Sequence, residues 1–249
     1  MGERASRPEN PKALASAYDD WYGQWAHLSR KELDTVLFPY HESALSVVGD
    51  AHKGARVIDI GCGDARLTRE LVLRGAGEVV AMDISEVALE IAEKVTADVA
   101  TETSLQHGDI ESIPTPGDSF AVAFCCETLE HVLNPIRALS ELSRVLTPGG
   151  LLVLTTPNYL SLLGLHRLSV RLRGRRYTEG GQPLNNVTMW PRSAWWLWRA
   201  GFEVTSMRVY GYHVPRRGRE AREVTPSSVL GRALRPFGEQ AVFRAVNRG

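Results

Sequence analysis

Two glycines, Gly61 and Gly63, follow directly on the short apolar run "RVIDI" at positions 56–60. A strand that runs into G-x-G has to turn tightly there and lets a ligand come close to the backbone. The stretch is not a dinucleotide fingerprint, because G-x-G-x-x-G asks for a third glycine where this chain has Arg66. Asp59 lies inside the first run, and acidic residues recur at the ends of the next two. Asp83 comes 22 residues after Gly61, and Asp109 comes 26 after Asp83. A carboxylate at such a strand end accepts both hydroxyls of a ribose, and one on the neighbouring strand end accepts from the exocyclic amine of a base. Singly, each is an ordinary solvated loop carboxylate. As a series along adjacent strand ends they sit where open α/β sheets bind ligands, and the ligand they describe is a nucleoside.

A second group of reactive side chains follows the fourth apolar run, in "CCETLEHV" at 125–132. The His131 imidazole titrates close to neutral pH and is a candidate general base, with Glu130 beside it as a second catalytic candidate. Packing over the ligand or capping a helix is an equally open role for His131. Three cysteines, Cys62, Cys125 and Cys126, form no paired framework and show no C-x-x-C spacing, which points to a reducing compartment.

The elements needed to position these residues are readable from periodicity. "RVIDI", "EVVAMD", "SLQHGD", "FAVAFCC" and "GLLVLTT" are strand-sized runs, the third the weakest, separated by segments of helical spacing. Leu67, Leu71 and Val72 mark the first of these helices, which stops at Gly75. Ser85 is a plausible N-cap for the second, with Val87, Ile91 and Val95 on one face, and Ile136, Leu139 and Leu142 mark the third. Pro148-Gly149-Gly150 fits a type II turn before the fifth strand. "RSAWWLWRAGFEV" reads as a helix ended by Gly201 and a strand reaching about Tyr210, and "EQAVFRAVN" as a last strand paired with it. Trp195 and Trp198 are expected in the core. Residues 12 to 50 read as two helices, the second broken near Pro39. The fold expected is α/β, a Rossmann-like doubly wound, mostly parallel seven-stranded sheet with helices on both faces. A helical N-terminal cap would cover 1–50, and the main domain 51–249 would carry an Arg-rich insertion at about 158–190.

From about Arg56 to Asn158, and more loosely through "RAGFEV", the chain resembles the class I S-adenosylmethionine-dependent methyltransferases. Within that group it is similar to the ubiquinone-biosynthesis O-methyltransferase-like, type 11 enzymes. The resemblance implies S-adenosylmethionine as cofactor and S-adenosylhomocysteine as product. "DIGCGDA" stands for the first motif, so Asp59, Gly61, Cys62 and Gly63 fall to the methionine side. Asp83 and Ile84 fall to ribose and adenine, and Asp109 and Ile110 to the adenine edge. Cys126 joins the cofactor set, as does Tyr18 on a lid formed by "YDDWYGQW", although Tyr18, Trp21 and Trp25 at i, i+3 and i+7 are more simply a packing face. Glu127, Glu130 and His131 form E-x-x-E-H, which resembles a stretch of ubiquinone-biosynthesis O-methyltransferases and small-RNA 2′-O-methyltransferases that can hold a divalent metal, although many relatives carry it without one. The further histidine those enzymes supply is replaced here by "LNNVTMW", so a metal is not favoured. The fourth strand end lacks the D/N-P-P-Y/F cluster that clamps a flipped base, which argues against N-methylation of DNA bases.

Length and composition, 249 residues with 43% hydrophobic and 23% charged, exclude disorder, collagen and a disulfide scaffold. The formal net charge is zero but divided. Up to position 150 there are 13 basic against 24 acidic residues, and beyond it 16 arginines against five glutamates. Arg167, Arg171, Arg173, Arg175 and Arg176 beside Leu165, Leu168, Val170 and Leu172, with more arginines in "VPRRGREAR", suit an anionic acceptor or peripheral contact with a membrane. The N-terminal "MGERASRPENPK" has no apolar signal-peptide core, so a cytoplasmic protein is expected, with peripheral membrane contact an option that the Arg-rich region leaves open. The favoured function is methyl transfer to an oxygen of a small-molecule acceptor that is anionic, lipid-linked or carrier-bound. RNA 2′-O-methylation, with nucleic acid a less favoured partner, and a non-catalytic nucleoside-binding module are the alternatives.

Overall fold

The computed structural model of the protein describes residues 8–30, 32–33, 36–161, 164–165, 169, 172–173, 182–211, 213–216, 219–223 and 235–249. Five parallel strands are built from the apolar runs: β1 (Arg56–Ile60), β2 (Glu78–Asp83), β3 (Thr103–His107), β4 (Phe120–Cys126) and β5 (Leu146–Pro157). β6 (Phe202–Tyr210) is joined to them through the antiparallel β9 (Gln240–Asn247), and a short hairpin, β7 (His213–Arg216) with β8 (Arg219–Glu223), stands apart. The order in the large sheet is β3-β2-β1-β4-β5-β9-β6. It is the expected seven-stranded, doubly wound arrangement.

Period-two alternation explains the two cores. Ile58, Ile60, Val80, Met82, Ala123, Cys125, Leu152 and Leu154 point to one face, where α5 (Pro135–Val145) and α6 (Trp190–Arg199) cover them. Val57, Val79, Val122, Phe124, Leu151 and Val153 point to the other. There they meet α2 (Pro39–Val48) and α3 (Arg66–Leu73). α4 (Glu86–Thr96) packs beside α3, and its N-terminus is capped by Ser85 Oγ, which accepts from Ala88 N at 3.0 Å.

Three local expectations change. Pro39 does not break a helix but begins α2 at its first turn, where the missing N–H is no loss. α2 belongs to the sheet's own core, whereas α1 (Pro11–Gly23) and the turn after it lie over the strand ends. α6 buries Ser193, Trp196, Leu197 and Ala200, the i, i+3, i+4, i+7 stripe. Trp195 and Trp198 therefore fall on the outer half, 50% and 57% exposed. Pro148 and Gly149, with φ +77° at the glycine, form the expected turn as a bulge inside β5, between the pairs Phe120–Leu146 and Val122–Leu151. Arg167, Arg171, Arg175 and Arg176 lie outside the described residues; Arg173 is exposed, as are Leu165 and Leu172. Among the described residues no helix is long and apolar enough to cross a membrane.

Candidate functional site

In this strand order the chain reverses direction across the sheet between β1 and β4, and the crevice outside their carboxyl ends is where doubly wound sheets take ligands. Gly61 and Gly63 turn the chain there with φ of +65° and +55°. A Cβ on Gly61 would lie 2.3 Å from Thr128 Cγ2, and one on Gly63 would lie 2.7 Å from Tyr22 Oη. The glycines are thus required first by the approach of Thr128 and Tyr22. The loop is pinned by Gly61 N–H and Cys62 N–H donating to Met82 O, and by Gly63 N–H donating to Asp83 Oδ2 at 2.9 Å.

Asp83 is buried, and its other oxygen accepts from Ser85 N at 3.0 Å. Burial raises its pKa, against the lowering by backbone N–H groups. Asp83, Ile84, Asp109 and Ile110 line one cleft of about 620 Å³, with Tyr18 and His131 opposite. Ile110 is buried, and Asp109 Oδ1 accepts from Glu111 N. The Tyr18 hydroxyl is buried, its pKa pushed up by burial and then by Glu130 and Asp83, against a lowering by the Leu184 backbone. A second, wider cavity of about 1290 Å³ lies beyond the glycine loop, lined by Cys62, Gly63, Asp64, Arg66, Cys126 and aromatic side chains. Burial is the main cause that raises both cysteine thiols.

Asp59 does not join the cleft. Its position in β1 turns the carboxylate toward α3, where it accepts from Thr68 Oγ1 at 2.6 Å, and burial lifts its pKa to about 7. It ties the loop to the helix from behind.

His131 sits in a single 3-10 turn, Leu129–His131, after β4. Its Nδ1 lies 2.5 Å from the Leu184 carbonyl. A carbonyl only accepts, so Nδ1 carries the proton and Nε2 keeps its lone pair. Burial lowers the pKa to about 4, outweighing the Leu184 bond, and the ring is neutral at physiological pH. Nε2 is 3.6 Å from Glu130 Oε1, and Glu130 is buried. Glu127 also lines the cleft, with its carboxylate held by the sheet: Thr155 Oγ1 donates to its Oε1 at 2.9 Å and Gln240 Nε2 to its Oε2 at 3.3 Å. Among the described residues no cluster of three or more His, Cys, Asp or Glu is arranged to hold a metal.

Sequence reasoning missed the partners that hold this arrangement. Asp19 of α1 accepts from Ser85 Oγ at 2.7 Å, docking the helix onto the cap of α4, and Lys94 Nζ donates to Ala26 O and Leu28 O. Asn186 donates from its backbone to Glu130 O and from its side chain to Val132 O, both at 2.7 Å. The segment that returns after the insertion is thereby laced to the His131 turn. Backbone contacts of this kind have no signature in side-chain type.

Buried carboxylate, apolar isoleucine faces and a buried phenol fit a nucleoside thioether in their chemistry, and the strand order is that of the class I methyltransferase fold. Residues 58–154 match the family model described as a methyltransferase domain. That segment is similar to the class I S-adenosylmethionine-dependent methyltransferases, and the relatives and the shared fold support S-adenosylmethionine as the cofactor. The chain is similar to a ubiquinone biosynthesis O-methyltransferase of Coxiella burnetii (strain RSA 331 / Henzerling II), 29% identical over 159 residues. That alignment covers 64% of this chain and 65% of the other, just under two thirds of the relative's length. It is also similar to the mitochondrial ubiquinone biosynthesis O-methyltransferase of Schizosaccharomyces pombe, 34% identical over 149 residues, 57% of this chain and 52% of that one. A crystal structure described as a possible histamine N-methyltransferase of Thermotoga maritima shares the fold, with a TM-score of 0.61, 18% identity, and 94% of this chain and 98% of that chain covered.

Proposed function

We propose that the protein transfers a methyl group to an oxygen of a small-molecule acceptor. The observation that carries this is the neutral His131, whose Nδ1–H is committed to Leu184 O and whose Nε2 is left with its lone pair, in the same cleft as Asp83. When bound, S-adenosylmethionine supplies an electrophilic methyl group on a sulfonium. Asp83 would accept the ribose hydroxyls, Ile84 and Ile110 would flank the adenine, and Asp109 would accept at its edge. Gly61, Cys62, Gly63 and Cys126 would border the methionine end, and Tyr18 on α1 would close the cleft against water. His131 Nε2 would take the hydroxyl proton of the acceptor, and Glu130, 3.6 Å away, would stabilise the imidazolium that forms. The ubiquinone O-methyltransferase relatives support oxygen as the nucleophile.

The test combines calorimetry with turnover. Asp83→Ala should weaken S-adenosylmethionine binding strongly, whereas His131→Ala should keep binding and lose about 10²–10⁴-fold in methyl transfer, the range for a lost general base. Binding that ignores Asp83→Ala would refute the cleft assignment. A wild-type protein that binds cofactor yet methylates no acceptor pool would leave the non-catalytic nucleoside-binding module as the better reading.

A further inference from the structure

Tyr22 stands on the walls of both cavities, together with Gly61 of the glycine loop. On the narrower side it is joined by Tyr18 and His131. On the wider side lies an aromatic chamber walled by Trp21, Trp25, Phe38 and Tyr40. The position of the ring is fixed by its helix. Tyr22 follows Tyr18 by four residues on α1, one turn further along the same face. Its ring meets Trp21 edge-on at 4.8 Å between centroids and Trp25 at 6.4 Å. The bond from Ser85 Oγ to Asp19 ties the same stretch of helix to α4.

The hydroxyl shows which part of a nucleoside ligand this ring borders. A Cβ on Gly63 would come within 2.7 Å of Tyr22 Oη. Burial raises the phenol pKa, and Asp83, Asp64 and Cys62 in turn raise it further. Asp83 belongs to the ribose end of the cleft, Cys62 and Gly63 to the methionine end. Tyr22 stands where the two ends join, and in a nucleoside thioether or its sulfonium that junction is the sulfur.

A sulfonium that leaves water for a buried cleft gives up hydration that an uncharged thioether never had. The negative face of an aromatic ring offsets part of this loss. A carboxylate in contact would attract the cation more strongly, but it is also a nucleophile that the methyl group could alkylate. A phenol with a raised pKa stays protonated and offers no such anion.

Building on the methyltransferase reading, we propose that Tyr22 reads the charge of the cofactor: its ring borders the sulfonium and favours S-adenosylmethionine over the uncharged S-adenosylhomocysteine. Once the methyl group has left, the attraction is gone, and the product is held less firmly at this point than the reactant was.

Calorimetry with three ligands tests this: S-adenosylmethionine, S-adenosylhomocysteine, and sinefungin, which carries an ammonium group in place of the sulfonium methyl. Tyr22→Leu should weaken the two cations about 3- to 30-fold and leave S-adenosylhomocysteine within about twofold, while Tyr22→Phe should keep most of the preference. Adding one, two or three fluorine atoms to the ring of Tyr22→Phe withdraws its electrons with little change in size. S-adenosylmethionine affinity should then fall stepwise and S-adenosylhomocysteine affinity should stay level, a series that does not depend on the leucine variant folding. Equal losses for all three ligands would make Tyr22 a packing residue. Tighter binding of all three by Tyr22→Leu would make it an obstruction, and a flat fluorine series would leave the charge of the ring without a part. Each of these overturns the proposal. A wild-type protein that binds neither S-adenosylmethionine nor S-adenosylhomocysteine would instead overturn the underlying methyltransferase reading.

Discussion

Lowering the pH should destabilise the protein through His131 in a way that one substitution isolates. Burial holds its folded pKa at about 4 against an ordinary 6.5. As the pH falls, the unfolded chain takes up a proton that the folded chain refuses. The stability tied to this group is therefore intact above 6.5 and is lost progressively toward 4. At ~1.36 kcal/mol per pH unit, the loss is about 2 kcal/mol by pH ~5 and about 3 kcal/mol by pH ~4. His131→Asn keeps an N–H able to reach Leu184 O but has nothing to titrate. Urea unfolding of both proteins near neutral pH and near pH 5 should show the wild type losing about 2 kcal/mol more than the variant. His41, lowered to about 3 by burial, adds a loss of the same sign, and Asp59, raised to about 7, one of the opposite sign. Both are present in the two proteins and cancel in the difference. A difference that stays constant within about 0.5 kcal/mol across that range would refute the idea that the ring is buried and neutral.

Other outcomes follow from single contacts. Trp196→Ala should cost about 3–5 kcal/mol by urea unfolding because the ring is buried against α5 and the sheet, while Trp195→Ala and Trp198→Ala should stay within about 0.5 kcal/mol. Thr68→Val should cost about 1–3 kcal/mol, since it removes the hydroxyl donor of the buried Asp59 carboxylate and leaves it the Thr68 backbone alone of that pair, and the loss should be larger above neutral pH, where that carboxylate ionises. Asp19→Ala should cost about 1 kcal/mol or less globally, yet speed amide exchange in α1 ahead of the sheet.

The central strands were legible because runs such as "FAVAFCC" are apolar on both faces, and only a sheet covered on both sides buries such a run. Ser85 was legible as a cap from its type and place, and Asp83 and Asp109 as strand-end acids from spacing. The phase of α6 was not. Three tryptophans within four residues give an apolar pattern on every side, and only packing against α5 selects Trp196. The orientation of Asp59 was hidden by its motif, whose acidic position suggests a ligand contact while the strand's alternation sends it toward Thr68. The aromatic chamber draws on α1, the turn at Trp25 and the start of α2. No local pattern announces that union.

The lacing of residues 184–186 to the His131 turn bears on how such an enzyme is recombined. An insertion between β5 and α6 looks like a module to exchange for a new substrate range. Here its last residues supply the carbonyl that sets the histidine tautomer and the amide that braces Glu130 and Val132. A chimera joined at the start of α6 would import a foreign segment against the His131 turn. One joined before Gln182 would leave that turn with its own framework.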